Sequence, residues 1–201
     1  MIETPLRIAV LASGGGTNFQ AIQGRIAGGR LNAQVVLVIS NNKDAYVLER
    51  ARTAGIRTEH WSEKKAGSRE AFVAGLLKLL EETRTELIVL AGYMKLIPAE
   101  VVKAYAGSII NIHPALLPKF GGQGMYGIHV HEAVLAAGEK ESGASVHLVD
   151  AEYDRGTILK QRKVPVLPGD TPETLRDRVL DVEHELYSEV IAEFAANRQR
   201  P

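Results

Sequence analysis

The chain has no cysteine among its 201 residues. Disulfides, thiolate nucleophiles and cysteine-ligated zinc are therefore excluded, and the composition agrees with an intracellular setting. There is no excess of charge: lysine plus arginine number 24, as do aspartate plus glutamate. No global field recruits nucleic acid or an anionic membrane, so the expected partner is a small molecule. The single tryptophan, Trp61, offers no aromatic series on which bases could stack. No uninterrupted apolar run approaches the roughly 20 residues that cross a bilayer. Met1 to Pro5 carry no basic segment followed by an apolar region, so no secretory signal is read. A cytoplasmic protein is expected, and the length suits one domain over residues 1–201.

What the sequence does have is an alternation of short apolar runs and helical stripes. Arg7 to Ala12 is a branched apolar run that stops at Ser13 and a glycine cluster, as a buried parallel strand does, and helical patterning resumes after Asn18. Gln34 to Ser40 repeats the strand signal, and Ala45 to Ala54 reads as a helix ended by Gly55. A brief strand is expected near Arg57 to Trp61. Arg69 to Thr83 carries a stripe of Phe72, Leu76, Leu79 and Leu80, and Leu87 to Ala91 is the next strand. Pro98 suits the first turn of a short helix, and Ser108 to Ile112 is a fifth strand. A glycine-rich stretch, Gly121 to Gly127, precedes a helix over His129 to Ala137. Ala144 to Asp150 and Thr157 to Val166 are two further strands, too close in sequence for a helical crossover, so they should pair antiparallel. Asp170 or Thr171 could cap a last helix with Pro172 in its first turn. The pattern predicts an α/β fold: a doubly wound, mostly parallel, Rossmann-like sheet with an antiparallel C-terminal edge.

Two segments carry chemistry. Ser13-Gly14-Gly15-Gly16-Thr17-Asn18 lies between the first strand and first helix, where glycine lets backbone approach a ligand and the helix start offers N–H groups to a phosphate. A tight connection with no ligand is the other reading. Its spacing is not that of a dinucleotide fingerprint, and Ser40-Asn41-Asn42 offers no acid for a ribose diol, so a single phosphate fits better than two. Asn111-Ile112-His113-Pro114 ends the fifth strand, and alternation puts Asn111 and His113 on one side. An amide and an imidazole there can stabilise a developing oxyanion or move a proton. A structural histidine is the alternative. Asp154, in a turn between the last two strands, would hold charge on His113 and raise its pKa; the bland reading pairs it with Arg155.

His129 and His131 are two apart, but no third ligand has convincing spacing, so no metal is expected. His147 reads as a packed or hydrogen-bonded core residue, and His184 as part of a solvated face.

In order, Arg7 to Asn18 (R-I-A-V-L-A-S-G-G-G-T-N), V-L-A-G-Y-M-K-L-I, N-I-H-P-A-L-L-P, S-V-H-L-V-D-A-E-Y-D-R-G and V-P-V-L-P-G-D-T resemble the folate-dependent glycinamide ribonucleotide formyltransferases. The likeness runs from about Arg7 to Tyr187. The asparagine-x-histidine-proline strand is shared with methionyl-tRNA formyltransferases and formyltetrahydrofolate deformylases; the glycine loop and compact length narrow the choice. The resemblance implies transfer of a formyl group from 10-formyltetrahydrofolate, a co-substrate, to glycinamide ribonucleotide, with no metal. It implies that Gly15, Gly16, Thr17 and Asn18 hold the ribonucleotide phosphate and that Glu183 helps bind that substrate. Met94, Lys95, Leu96 and Ile97 match the stretch lining the folate pocket, and Arg69 a basic residue near the folate. Asp150, Ala151, Glu152, Tyr153 and Asp154 match the loop around pterin and formyl group. Asn111, His113 and Asp154 match the catalytic trio. The N-terminal half would thus bind phosphate, and the C-terminal half folate. Gly121 to Gly127 is longer and richer in glycine than the family's commoner loop, and Arg155 stands where glycine is frequent. A deformylase and a noncatalytic ribonucleotide or folate sensor are the rival readings.

Overall fold

The computed structural model describes residues 4–150 and 152–197. In chain order the elements are β1 (Leu6–Leu11), α1 (Thr17–Ala27), β2 (Ala33–Ser40), α2 (Tyr46–Thr53), β3 (Thr58–His60), α3 (Glu63–Ala66), α4 (Arg69–Glu82) and β4 (Leu87–Leu90). They continue as α5 (Ala99–Ala104), β5 (Ile109–His113), α6 (Ile128–Ala136), β6 (Glu141–Leu148), β7 (Ile158–Pro165) and α7 (Pro172–Asn197). The seven strands form one sheet in the order β3-β2-β1-β4-β5-β6-β7. The first five run parallel, whereas β6 and β7 add in antiparallel fashion. The expected doubly wound sheet with an antiparallel C-terminal edge is what forms.

Strand β1 explains why both faces must be covered. Ile8 and Val10 pack toward Phe19, Ile22, Leu186 and Val190, while Ala9 and Leu11 pack toward Phe72, Leu76 and Leu80 in a separate core. Alternate side chains of one strand therefore need a helical layer on each side, which right-handed crossovers supply. Helix α7 covers most of the first face: Leu175, Val179, Leu186, Val190 and Ile191 are fully buried. Each such side chain stabilises the fold by roughly 1.5–3 kcal/mol relative to exposure. Tyr187 on the same helix places its hydroxyl 2.9 Å from the Leu90 carbonyl and 3.0 Å from that of Ile110, pinning α7 across β4 and β5.

Several local expectations change. Pro98 is the N-cap of α5, one residue before its first turn. Helix α3 was not anticipated from the pattern; Ser62 caps it by accepting from the Lys65 N–H. Strand β6 begins at Glu141, three residues before Ala144, because Glu141, Ser142 and Gly143 continue the ladder with β7. At the start of α7 the cap is Thr171, whose hydroxyl oxygen accepts from the Thr174 N–H while the Thr174 hydroxyl accepts from the Thr171 N–H. Asp170 instead accepts from Arg178 at 2.6 and 2.8 Å, which holds its carboxyl well below the usual range. Among the described residues no helix is long and apolar enough to cross a membrane.

Candidate active site

The C-terminal ends of β1, β4 and β5 open into a cavity of about 430 Å³, the position at which open α/β sheets bind ligands. Two sites meet there.

At the end of β1 the chain turns through Ser13 to Gly16 into α1. Gly16 has φ 73°, and a Cβ on it would lie 2.5 Å from Val47 Cγ2, so both conformation and space require glycine. Gly15 differs: an added Cβ meets nothing within 4 Å. Among the described residues no backbone acceptor meets the N–H groups of Gly14, Gly15 or Gly16, which leaves donors for an anion at the start of α1. Asn18, in the first turn of α1, donates from Nδ2 to Glu183 Oε2 of α7 at 2.7 Å, and its buried Oδ1 has no partner among the described residues. Burial pushes the Glu183 carboxyl up to about 7, the Asn18 bond opposing it only in part. The loop, Thr17, Asn18 and Glu183 all line the cavity.

The second site is built by register. Asn111 and His113 are two apart on β5, and β6 runs antiparallel beside it with His147 opposite Asn111 and Ser145 opposite His113. Asp154 follows in the β6–β7 turn at φ 55°, a left-handed conformation that aspartate tolerates better than most residues. Gly122 N–H donates to Asp154 Oδ2 at 2.9 Å. That oxygen lies 3.6 Å from His113 Nδ1, and Asp154 Oδ1 lies 3.4 Å from both His147 Nε2 and Asn111 Nδ2. The carboxylate thus sits among three nitrogens and an amide.

Partner chemistry fixes the tautomers. His147 Nδ1 lies 2.7 Å from the Leu148 carbonyl and must donate to it, so in the neutral ring Nε2 accepts from Asn111 Nδ2 at 3.1 Å. One Asn111 hydrogen is committed to that bond; the other makes only the long 3.4 Å contact to Asp154 and is the one free to move to a ligand. His113 Nε2 likewise donates to the Phe120 carbonyl at 2.7 Å, so Nδ1 is the nitrogen that faces Asp154.

The electrostatics correct one expectation. His113 is held below its ordinary pKa, since burial outweighs the opposing pull of Asp154 and of the Phe120 bond. The carboxylate acts in the expected direction but does not outweigh burial. For Asp154, burial alone would raise the pKa; a hydrogen bond from His147 when its Nε2 carries a proton, the charge of a protonated His113 and the Gly122 N–H together hold it below the usual value. Asp154 stays ionised and needs a cation when one can form.

Most of the residues singled out from the sequence converge. Gly15, Gly16, Thr17, Asn18, Met94, Lys95, Leu96, Ile97, Asn111, His113, Glu152, Tyr153, Asp154 and Glu183 line one cavity. Two do not. Arg69 is exposed at the start of α4 and pairs with Glu100 at 3.2 Å, and Asp150 accepts from the Glu152 N–H in a local turn outside the lining. Ala151 lies outside the described residues. Arg155 is exposed, with Glu152 at 3.9 Å, and is not Asp154's partner. Residues 122–127 of the glycine-rich stretch form a wall of the cavity.

Sequence reasoning missed His147 as a member of the site. The signal was the antiparallel β5–β6 register, which a strand pattern alone does not supply. It also placed His184 on a solvated face, whereas the ring is half-buried, its Nε2 has no partner among the described residues and its pKa is lowered by burial. His129 is exposed and meets Glu132, while His131 is buried, lines the cavity and is pushed down to about 4 by burial and then by Arg176.

The model of the formyl transferase family matches residues 6–191. A phosphoribosylglycinamide formyltransferase of Arabidopsis thaliana, a chloroplast protein, is 45% identical over 96% of this chain. This chain spans 66% of that relative's length. The phosphoribosylglycinamide formyltransferase of Escherichia coli is 40% identical, with 96% of this chain and 89% of that one aligned. The crystal structure of glycinamide ribonucleotide transformylase 1 from Symbiobacterium toebii superposes with a TM-score of 0.90 at 44% identity, covering 97% of this chain and 90% of the other.

Proposed function

The chain belongs to the formyl transferase family, and from that premise we propose that it transfers the formyl group of 10-formyltetrahydrofolate to the amine of glycinamide ribonucleotide. The observation that carries this reading is the opening of an anion-binding loop and a carboxylate–imidazole–amide cluster into the same cavity. The first suits a monophosphate; the second suits a carbonyl that becomes an oxyanion. One domain would serve both, with its N-terminal half holding the phosphate and its C-terminal half the folate, in a cytoplasmic enzyme whose partners are these two small molecules.

The reaction needs no covalent enzyme intermediate. The amine lone pair attacks the formyl carbon, and the carbonyl π pair moves to oxygen. The amine proton travels to N10 of the folate, whose bond to the formyl carbon then breaks. Asn111 Nδ2 gives its loosely held hydrogen to the oxyanion. His113 takes up at Nδ1 the proton that the attacking amine releases and passes it on to N10; while the ring holds that proton as an imidazolium beside the oxyanion, Asp154 stabilises the cation. At 3.6 Å, Nδ1 and Oδ2 lie just beyond direct hydrogen-bond distance, close enough for the carboxylate's charge to act on the ring. Met94 to Ile97, Glu152 and Tyr153 would receive the folate. Thr17 and Asn18 would help the glycine loop hold the ribonucleotide phosphate, and Glu183 would help bind the same substrate.

The test is to follow a labelled formyl group. Incubation with 10-formyltetrahydrofolate should give formylated ribonucleotide only when glycinamide ribonucleotide is present, because a positioned amine gains most from proximity and unheld water competes poorly. Formate released without the ribonucleotide would mark a deformylase. Binding of both ligands with no product would mark a sensor.

A further inference from the structure

A loop that binds an anion through its N–H groups must keep its own carbonyl oxygens away from that anion, since each carries partial negative charge. In this chain the task falls largely to α2. The Val47 N–H takes the Gly14 carbonyl at 3.1 Å, and Arg50 Nε takes the Gly15 carbonyl at 2.9 Å. The Gly16 carbonyl goes to the Gln20 N–H within the first turn of α1 at 2.9 Å. Three successive carbonyls are thereby bound, two of them by neighbouring turns of α2.

Only the Arg50 contact brings a charge. Its Nη1 also reaches Gln20 Oε1 at 3.0 Å, so one guanidinium grips the loop and the helix that follows it. The Tyr46 ring lies beneath the guanidinium at 4.9 Å and limits its movement from the other side. Arg50 does not line the cavity. It would not touch a ligand there, yet its charge sits on the carbonyl side of the Gly15–Gly16 peptide, whose N–H meets no backbone acceptor among the described residues.

We infer that Arg50 is a positioning residue for the phosphate of the ribonucleotide: its guanidinium fixes the Gly15 carbonyl outward, orients the loop's donors inward and adds a positive field behind them. This rests on the reading of the glycine loop as a phosphate site. A charge-assisted hydrogen bond to a backbone carbonyl is stronger than a neutral one, so its loss should loosen the loop locally without unfolding the sheet. The effect should fall on affinity for the phosphorylated substrate and leave the chemistry at Asn111, His113 and Asp154 in place.

The experiment compares the parent with Arg50→Met, which keeps an apolar stem, and Arg50→Lys, which keeps charge but loses the two-armed grip. Inorganic phosphate binding, folate binding, thermal melting and steady-state kinetics are measured for each. Arg50→Met should raise KM for glycinamide ribonucleotide and Kd for inorganic phosphate together, by roughly tenfold or more, with kcat and the folate KM changed less than about twofold. Arg50→Lys should fall between, and carries the test if Arg50→Met does not fold. Gln20→Ala, which removes only the second contact, should leave all four values near the parent's. Equal phosphate affinity in the parent and both arginine variants would overturn the role of Arg50 while leaving the loop as a phosphate site. Equal losses for ribonucleotide and folate with a lower melting temperature would reduce Arg50 to a structural tie. Failure of the parent to bind phosphate, with folate binding intact, would remove the phosphate reading of the loop and Arg50's role with it.

Discussion

Replacing Asp154 with asparagine isolates charge from shape. Asparagine has the same outline and tolerates φ 55° at least as well, and its Oδ1 can still accept from the Gly122 N–H. What disappears is the negative charge 3.6 Å from His113 Nδ1, in a pair whose side chains are 4% and 10% exposed. Across that gap Coulomb's law at an effective dielectric of ~20 gives about 4–5 kcal/mol, an upper limit for an imidazolium that forms only in the transition state. Taking between half and all of it, kcat should fall by roughly fiftyfold to two-thousandfold. The assay is formyl transfer under saturating substrates, paired with ribonucleotide binding by calorimetry and with thermal melting. Ribonucleotide affinity should change little, since the carboxylate faces the formyl end of the cavity. A near-normal kcat would remove the charge from the mechanism. A fall in affinity matching the fall in kcat/KM, together with a lower melting temperature, would show that asparagine had disturbed the site instead.

Other expectations follow from single contacts. Glu183 has a folded-state pKa of about 7 against an ordinary 4.5, so the folded chain binds an extra proton between those values and its stability should decline as pH rises from 4.5 to 7. The loss is on the order of 3 kcal/mol; Glu183→Gln, which still accepts from Asn18, should flatten that part of a melting-versus-pH curve, and an unchanged curve would contradict it. Gly15→Val should keep the parent's melting temperature and lose ribonucleotide affinity selectively. Gly16→Ala should lower the melting temperature because φ is positive and Val47 blocks the space; the reverse ranking in melts would refute the loop geometry. Tyr187→Phe removes the donor facing the Leu90 and Ile110 carbonyls and should cost roughly 1–2 kcal/mol, read as a drop of about 2–8 °C in Tm with kcat preserved.

Much of this architecture is legible from local pattern because β1, β2, β4 and β5 are short branched apolar runs soon followed by glycine, asparagine or proline. The parallel pairing of five strands and the antiparallel edge follow from the lengths between those runs, whereas the order of strands in the sheet does not. The glycine loop and the β5 pair are legible for the same reason: both sit at strand ends, where side chains leave the sheet. What is not legible depends on contacts distant in sequence. His147 joins the site because β6 pairs with β5 across 36 residues and puts it opposite Asn111. The lowered His113 pKa needs the burial supplied by the whole fold, whereas its attraction to Asp154 needs only their proximity. Arg69 has nothing in its own sequence to show that Glu100, 31 residues later, takes its guanidinium. Helix α3 spans four residues, too few for a period, and depends on the Ser62 cap. The start of β6 was hidden by Ser142 and Gly143, which carry no strand signal but pair with Val164 and Lys163.

If one cavity holds an amine and a formyl carbon together beside Asn111, His113 and Asp154, a crystal structure of the protein with glycinamide ribonucleotide and a non-transferable 10-formyl folate analogue should show both there. The ribonucleotide phosphate should lie on the N–H groups of Gly15 and Gly16, with the amine nitrogen roughly 3–3.5 Å from the formyl carbon. The formyl oxygen should lie about 3 Å from Asn111 Nδ2, which has let go of Asp154 but kept His147. A complex with the phosphate away from the glycine loop, or with the formyl oxygen beyond reach of both Asn111 and His113, would contradict this arrangement.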